Sequence, residues 1–394
     1  MVNQHISASV AANKAAMIAF RRDLHSHPEL PWEEVRTTQR IAEELDKIGI
    51  PYRLTEPTGI IADIHGGKPG KTVALRADID ALPVTELNEK IDYKSQIVGK
   101  MHACGHDSHT AMLLTAAKAL FEVREQLPGN IRLIFQPAEE IAEGAKAMIK
   151  QGAIDGVDNV FGMHIWSQTK SGKISCNVGS SFASADLLRI TFKGRGGHGS
   201  MPHDCVDAVM VASSFVMNLQ AIVSREVDPL EPAVVTIGKM DVGTRFNVIA
   251  ETAVLDGTVR CFNIALRDKI EAAIRRYADS VAAMYGAKAI VEYNYGTPPV
   301  INEQRSALLA QSVISDTFGE HALFTERPTT GGEDFSYYIE NIPGCFALVG
   351  SGNAEKDTEW AHHHGCFNID EDAMTNGAEL YAQYAWNYLH QDQF

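Results

Sequence analysis

The chain has 394 residues, which at roughly 150 residues per domain suggests two or three domains. Hydrophobic residues make up 45% and charged residues 22%, which excludes an overall disordered, collagen-like or coiled-coil protein. Asp plus Glu number 50 against 35 Lys plus Arg, a formal charge of −15, and no local basic cluster interrupts it. Such a surface repels phosphate backbones, so no nucleic-acid partner is expected. No apolar run approaches the ~20 residues that cross a bilayer, so no membrane partner is expected either. The first twenty residues lack the charged and apolar regions of a secretory signal. The six cysteines (104, 176, 205, 261, 345 and 366) never form a CxxC pair. A reduced, cytoplasmic protein is the expectation.

In chain order, the N-terminal stretch reads as helix and then turns at HSHPELP. A second helix spans about Thr37 to Ile48 and stops at Gly49, with Pro51 beyond. Apolar strands follow at 72–78, 131–136, 159–165 and 345–351. Between the first two lies a helix from about His106 to Leu127, with Met112, Leu113, Ala116, Leu120 and Val123 on one face. Alternation of helices with buried strands predicts an α/β domain with a largely parallel sheet. The texture changes near 183. A strand (ADLLRITFKG), a helix at 206–222, strands at 233–240 and 252–260, a helix at about 265–285 and a strand at 288–295 follow. That order is βαββαβ, a ferredoxin-like unit. It is expected as an insertion over 183–296, splitting a first domain into 1–182 and 297–394.

Three motifs are decoys. GGKPGKT (66–72) is one residue short of a phosphate loop and precedes a strand, so a hairpin turn is expected there. GRGGHG (194–199) follows a strand, but Met201-Pro202 interrupt the helix start that a dinucleotide site needs. His25 and His27 flank a turn and are expected to cap structure rather than bind metal.

The chemistry lies after the strands, where open α/β sheets place their sites. Asp78 and Asp80 follow the first strand. Cys104 and His106 precede the long helix. Glu139 and Glu140 follow the second strand, His164 ends the third, and His362 to His364 lie between the last strand and the final helix. Thiolate, imidazole and carboxylate together suit one or two divalent ions, zinc first and manganese next. Paired glutamates suggest that one binds metal while its neighbour acts as general base on water. A buried carboxylate beside another should have a raised pKa.

RRDLHSHPEL, LRADIDALPVTE, MHACGHDSHTAMLL, FQPAEE, GMHIW, GRGGHGSMPH, FNVIAETAVLDGTVR, GGEDFSYY and segment 362–373 occur in the order seen in a known family. The chain resembles the dinuclear metal-dependent amidohydrolases of the aminoacylase and carboxypeptidase group, above all the branch of hippurate hydrolases, N-acyl-amino-acid amidohydrolases and auxin conjugate hydrolases. The resemblance implies metal ligation by Cys104, His106, Glu140, His164 and His363, with Glu139 as general base and Asp80 tuning the site. Counting back from Phe367 points to His363, with His362 and His364 left open. The inserted unit resembles the family's lid and dimerisation domain. In that picture His198 reaches a neighbouring subunit's site to stabilise the oxyanion, and Asn247 and Arg260 hold the substrate carboxylate. The implied activity is hydrolysis of N-acyl-L-amino acids by a homodimer carrying two divalent ions, Zn or Mn, with Ni or Co as further possibilities. The alternatives are a dipeptidase, a carboxypeptidase or a deacetylase of the same architecture, and more remotely a non-catalytic binding protein. His363-His364-Gly365-Cys366 and Ala250 depart from the family pattern, which has Pro at 365 and 250.

Overall fold

The computed structural model describes residues 2–391. Two compact units emerge. The first comprises residues up to Gly179, Ile301–Arg327 and the chain from Asp334 onward; the second comprises Ser180–Val300 and Pro328–Glu333.

The first unit is built on a seven-stranded sheet. Its strands run in the order Tyr52–Leu54, Ile60–His65, Pro128–Gln136, Lys68–Asp78, Asn159–Lys170, Gly344–Gly352 and Ile174–Ser175. The four central strands are mutually parallel. The flanking pairings are antiparallel. Central strands are covered on both faces, so they are continuously apolar rather than alternating. Every residue of Gly344–Gly352 is buried.

The helix His106–Glu122 ends five residues earlier than its apolar pattern suggests, and a short turn at Arg124–Gln126 leads into the next strand. Fourteen of its residues are buried. It packs on the Lys68–Asp78 strand below and on helices Lys14–Ser26, Val35–Ile48 and Ala373–His390 around it. A helix enclosed on all sides need not be amphipathic. Helix Val35–Ile48 stops at Gly49, whose φ of 88° supplies the left-handed cap. Tyr384 of the last helix stacks on Phe161 of the sheet with centroids 4.2 Å apart, an arrangement worth about 1 kcal/mol beyond its buried area.

The segment 66–67 is not a hairpin turn. His65 pairs with Asn130 and Lys68 with Pro128, so the Pro128–Gln136 strand lies between the two strands that the turn connects. Gly66 passes so close to that strand that a Cβ would sit 2.0 Å from the Gly129 carbonyl oxygen.

The second unit carries a four-stranded antiparallel sheet in the order Ala233–Val242, Thr252–Cys261, Ala185–Lys193 and Lys288–Thr297. Helices Ala208–Ala221 and Ile264–Tyr285 pack together and against these strands. Val211, Phe215, Leu219, Ile270 and Ile274 join Ile190, Leu255 and Val259 in a second hydrophobic core. Residues Ala208–Glu226 are long and apolar enough to cross a membrane by length and composition, which the sequence reading overlooked. Their buried stripe faces this core. No helix follows GRGGHG directly; Gly197 and His198 pair instead with Ile249 and Val248 in a short ladder.

Candidate metal centre

The ends of the parallel strands bring five chain segments of the first unit together. Asp78 ends one strand, and Asp80 follows in the loop. Gly105, with φ 101°, turns the chain between Cys104 and the helix that begins at His106. A Cβ at Gly105 would lie 2.4 Å from Ile165 Cγ2, so only glycine fits the turn. Ala138, at φ 54°, and His363, at φ 67°, are non-glycine residues in the left-handed region. Such strain costs about 1–3 kcal/mol and clusters at functional sites. Here it aims Glu139–Glu140 and the His363 ring. The Ala138 N–H donates to Glu34 Oε1 at 2.9 Å, and the His363 N–H donates to the Ala103 carbonyl at 2.7 Å.

His106 is fully buried. Its Nδ1 lies 3.1 Å from Asp80 Oδ1, while Asp80 Oδ2 accepts the Glu140 N–H at 3.0 Å. Asp80 therefore fixes the His106 tautomer and the Glu140 backbone at once. This leaves His106 Nε2 aimed at Glu140 Oε1 across 3.9 Å. Both atoms are buried and lack a hydrogen-bond partner. Two adjacent orphaned donor atoms beside a buried thiol are what a cation would satisfy. Cys104, His106 and Glu140 each offer one ligand atom, all within 4.8 Å of one another, and so do Cys104, His164 and His362.

His164 donates Nδ1–H to the Ile165 carbonyl, and its Nε2 sits 3.3 Å from Cys104 Sγ. The three neighbouring histidines differ. His362 Nε2 accepts the Ser167 N–H at 3.3 Å, so its proton sits on Nδ1, 3.3 Å from the Cys104 carbonyl and 3.9 Å from its sulfur. His363 Nε2 instead faces Glu140 Oε2 at 3.5 Å. His364 stacks on Trp360, and its Nδ1 accepts the Cys366 N–H. A further buried group, Asp78, His106 and His109, resembles a ligand set. His109, however, is saturated: Nδ1 binds Asp78 Oδ1 at 2.6 Å and Nε2 accepts the Ile165 N–H at 2.8 Å.

The electrostatics report a site built for added positive charge. Burial raises the Glu140 carboxyl to about 7, with Asp80 adding to the effect and His106 opposing it. Burial, reinforced by Glu140, holds the Cys104 thiol well above its ordinary value. Burial lowers His164 and His363. His106 is raised because Asp78 and other partners outweigh its burial. A divalent cation reverses this logic, since it favours thiolate, carboxylate and neutral imidazole together.

His25 lies fully buried between Asp107 Oδ2 at 2.8 Å and Glu86 Oε1 at 3.1 Å. Arg21 Nε reaches the same Asp107 oxygen at 3.0 Å. This network braces the first turn of the His106 helix and is structural. His27 accepts no such role; its Nδ1 bonds the Asp23 carbonyl at 2.8 Å.

The second unit places His198, Asn247 and Arg260. His198 is exposed, and its Nδ1 accepts the Ser200 N–H at 3.2 Å. A neutral His198 therefore carries its proton on Nε2, free to donate. His198 pairs with Val248, next to Asn247. Arg260 Nη1 donates to Thr258 Oγ1 and the Val259 carbonyl. Its burial lowers its pKa, with Asp186 partly offsetting.

A profile for peptidase family M20/M25/M40 matches residues 74–387. The chain belongs to peptidase family M20/M25/M40. The N-acetyl-L-cysteine deacetylase of Bacillus subtilis is 41% identical over 359 residues, 91% of this chain and 84% of that protein. Thermostable carboxypeptidase 2 of Saccharolobus solfataricus is 38% identical over 377 residues, 93% of each chain. The crystal structure of the YXEP protein of Bacillus subtilis, described as a dinuclear metal binding peptidase from the M20 family, superposes with a TM-score of 0.86 at 35% identity. It covers 96% of this chain and 99% of its own. The M20 chain described here is thus a metal-dependent hydrolase of amide or peptide bonds, with an α/β catalytic fold and an inserted subdomain. The binding-only alternative is set aside.

Sequence reasoning missed Glu34, Arg76, Gln136 and Asp334, which support the site from behind. A buried charge in an otherwise apolar strand, as at Arg76, was the available signal.

Proposed function

We propose that this M20 hydrolase cleaves the amide bond of N-acyl-L-amino acids. The observation that carries the reading is the Glu139–Glu140 pair. Glu140 points toward His106 and His363, and Glu139, half-buried like its neighbour, points instead to the Asp334 N–H. Cys104, His106, Glu140, His164 and His363 would hold two divalent ions. Zinc suits the thiolate and imidazoles best, with Mn, Ni or Co as the other metals to test. His362, which groups with Cys104 and His164 but has ring nitrogens near the Ser167 N–H and the Cys104 carbonyl, is the alternative to His363. When bound, the ions supply Lewis-acid polarisation of the scissile carbonyl and acidify water.

Glu139 takes a proton from water as its oxygen attacks the acyl carbon. It returns that proton to the amide nitrogen as the C–N bond breaks, releasing acid and amino acid. The free Nε2–H of His198 donates to the developing oxyanion. Asn247 and Arg260 receive the substrate carboxylate. His198 serves the site of a second subunit in this reading. The Ala233–Val242 strand supports such a homodimer. It lies at the edge of its sheet, its outer side is unpaired among the described residues, and Val234 and Met240 are exposed on it.

Glu139→Gln should lower kcat by about three orders of magnitude while metal content stays at the wild-type level. Kinetics with hippurate, N-acetyl-amino acids and dipeptides, beside metal analysis, check both parts. Preference for dipeptides over every N-acyl substrate would overturn the substrate class in favour of a dipeptidase or carboxypeptidase.

A further inference from the structure

GGEDF (331–335) has no part in the mechanism above. Asp334 is fully buried in the first unit. Its carboxylate accepts four hydrogen bonds. Arg76 Nη2 donates to Oδ1 at 2.7 Å, Gln136 Nε2 donates to both oxygens at 2.9 Å, and the Ala145 N–H donates to Oδ2 at 2.9 Å. Those donors are themselves held. Arg76 Nε donates to Gln136 Oε1 at 2.8 Å, and Arg76 Nη1 to Asp78 Oδ2 at 2.6 Å. Tyr338 Oη donates to Gln136 Oε1 at 3.1 Å. The same Asp334 turns its backbone N–H outward to Glu139 Oε1 at 3.4 Å.

We propose that Asp334 is a positioning residue for Glu139. Its N–H steers the Glu139 carboxylate, and its buried side chain fixes where that N–H points. This rests on the reading of Glu139 as general base. A carboxylate on a flexible side chain must be aimed to move a proton between water and a leaving nitrogen, and misplacement by about 1 Å costs about a hundredfold in rate. The anchor suits that task because Gln136 and Glu139 belong to one short segment. One network therefore ties down the end of the strand, the Glu139 backbone beyond it and the N–H that meets its side chain.

The test compares Asp334→Asn, Gln136→Met and Glu139→Gln as full-length metal-loaded enzymes, with hippurate or whichever N-acetyl-amino acid turns over fastest. Asp334→Asn should lower kcat ten- to hundredfold with KM changed less than about threefold. Metal content and thermal melting should stay close to wild type. Gln136→Met leaves the Arg76–Asp334 pair in place and should lower kcat by less, again with KM little changed. It decides the matter if Asp334→Asn does not fold. A wild-type kcat, a KM that rises as much as kcat falls, or a loss of kcat that tracks loss of metal, would overturn the assignment while leaving the base reading intact, provided Glu139→Gln is inactive. An active Glu139→Gln enzyme overturns the base reading, and the positioning role with it.

Discussion

At the scale of single residues, three consecutive histidines are chemically equal in the sequence and unequal in the fold. His362 spends one nitrogen on the Ser167 N–H and the other near the Cys104 carbonyl. His363 has Nε2 turned to Glu140, and His364 lies on Trp360. His363→Ala should therefore lose about one metal ion per chain, because ligand loss typically removes the weaker of two ions. His362→Gln, which keeps an amide able to bond Ser167 or Cys104, should retain both. Metal-to-protein ratios after dialysis, measured by elemental analysis, distinguish the two variants. Equal loss in both would make His362 a ligand as well. The same logic separates Asp80 from a ligand: both of its oxygens are engaged, one with a ring nitrogen and one with a backbone N–H.

At the scale of elements, the centre depends on how strands hand over to loops. The Cys104–Gly105–His106 turn is one such constrained point. Gly105 has a left-handed φ and no room for a Cβ against Ile165. Gly105→Ala should destabilise the protein by about 1–3 kcal/mol through strain and close contact. It should also weaken metal binding, since Cys104 and His106 flank the displaced residue. Chemical denaturation of the metal-free protein and metal titration measure the two effects separately. Unchanged metal affinity would show that the turn only stabilises the fold. The first turn of the helix that follows is braced through its own Asp107 by Arg21 and His25. Burying such charges is favourable only as a complete, hydrogen-bonded set, which explains why two carboxylates, Asp107 and Glu86, meet one imidazole there.

At the scale of the whole molecule, the proposed assembly makes a cross-subunit prediction. A His198→Ala chain and a Glu139→Gln chain, each inactive alone, should regain activity when mixed dimers form. One site in each hybrid would then combine an intact Glu139 with an intact His198 from the other subunit. Activity after co-expression with two affinity tags, against tandem-purified single variants, reads this directly. Confirmed hybrids without activity would place His198 in service of its own chain. The metal ions should also couple to global stability. Cations bind the native cluster and not the unfolded chain, so adding them after chelation raises Tm in a concentration-dependent way.

Much was legible in the sequence alone. Alternating helices and strands gave the α/β class because buried parallel strands must be apolar along their whole length, as 159–165 and 345–351 are. Cys104, His106, Glu140 and His164 stood out as candidate ligands, with Glu139 as candidate base, because such side chains at strand ends are costly without a purpose. The order of the strands was not legible. Strand Pro128–Gln136 inserts between two strands that are consecutive in the chain, which is why a supposed hairpin at 66–67 became a crossing. Nor was the support behind the site. Arg76, Gln136 and Asp334 lie up to 258 residues apart, and nothing local marks them as partners. Composition and periodicity are local properties and determine which residues can form elements and which can bind metal. Which histidine of three is free, and which backbone N–H meets Glu139, depends on hydrogen bonds between distant segments, and those exist only once the sheet has assembled.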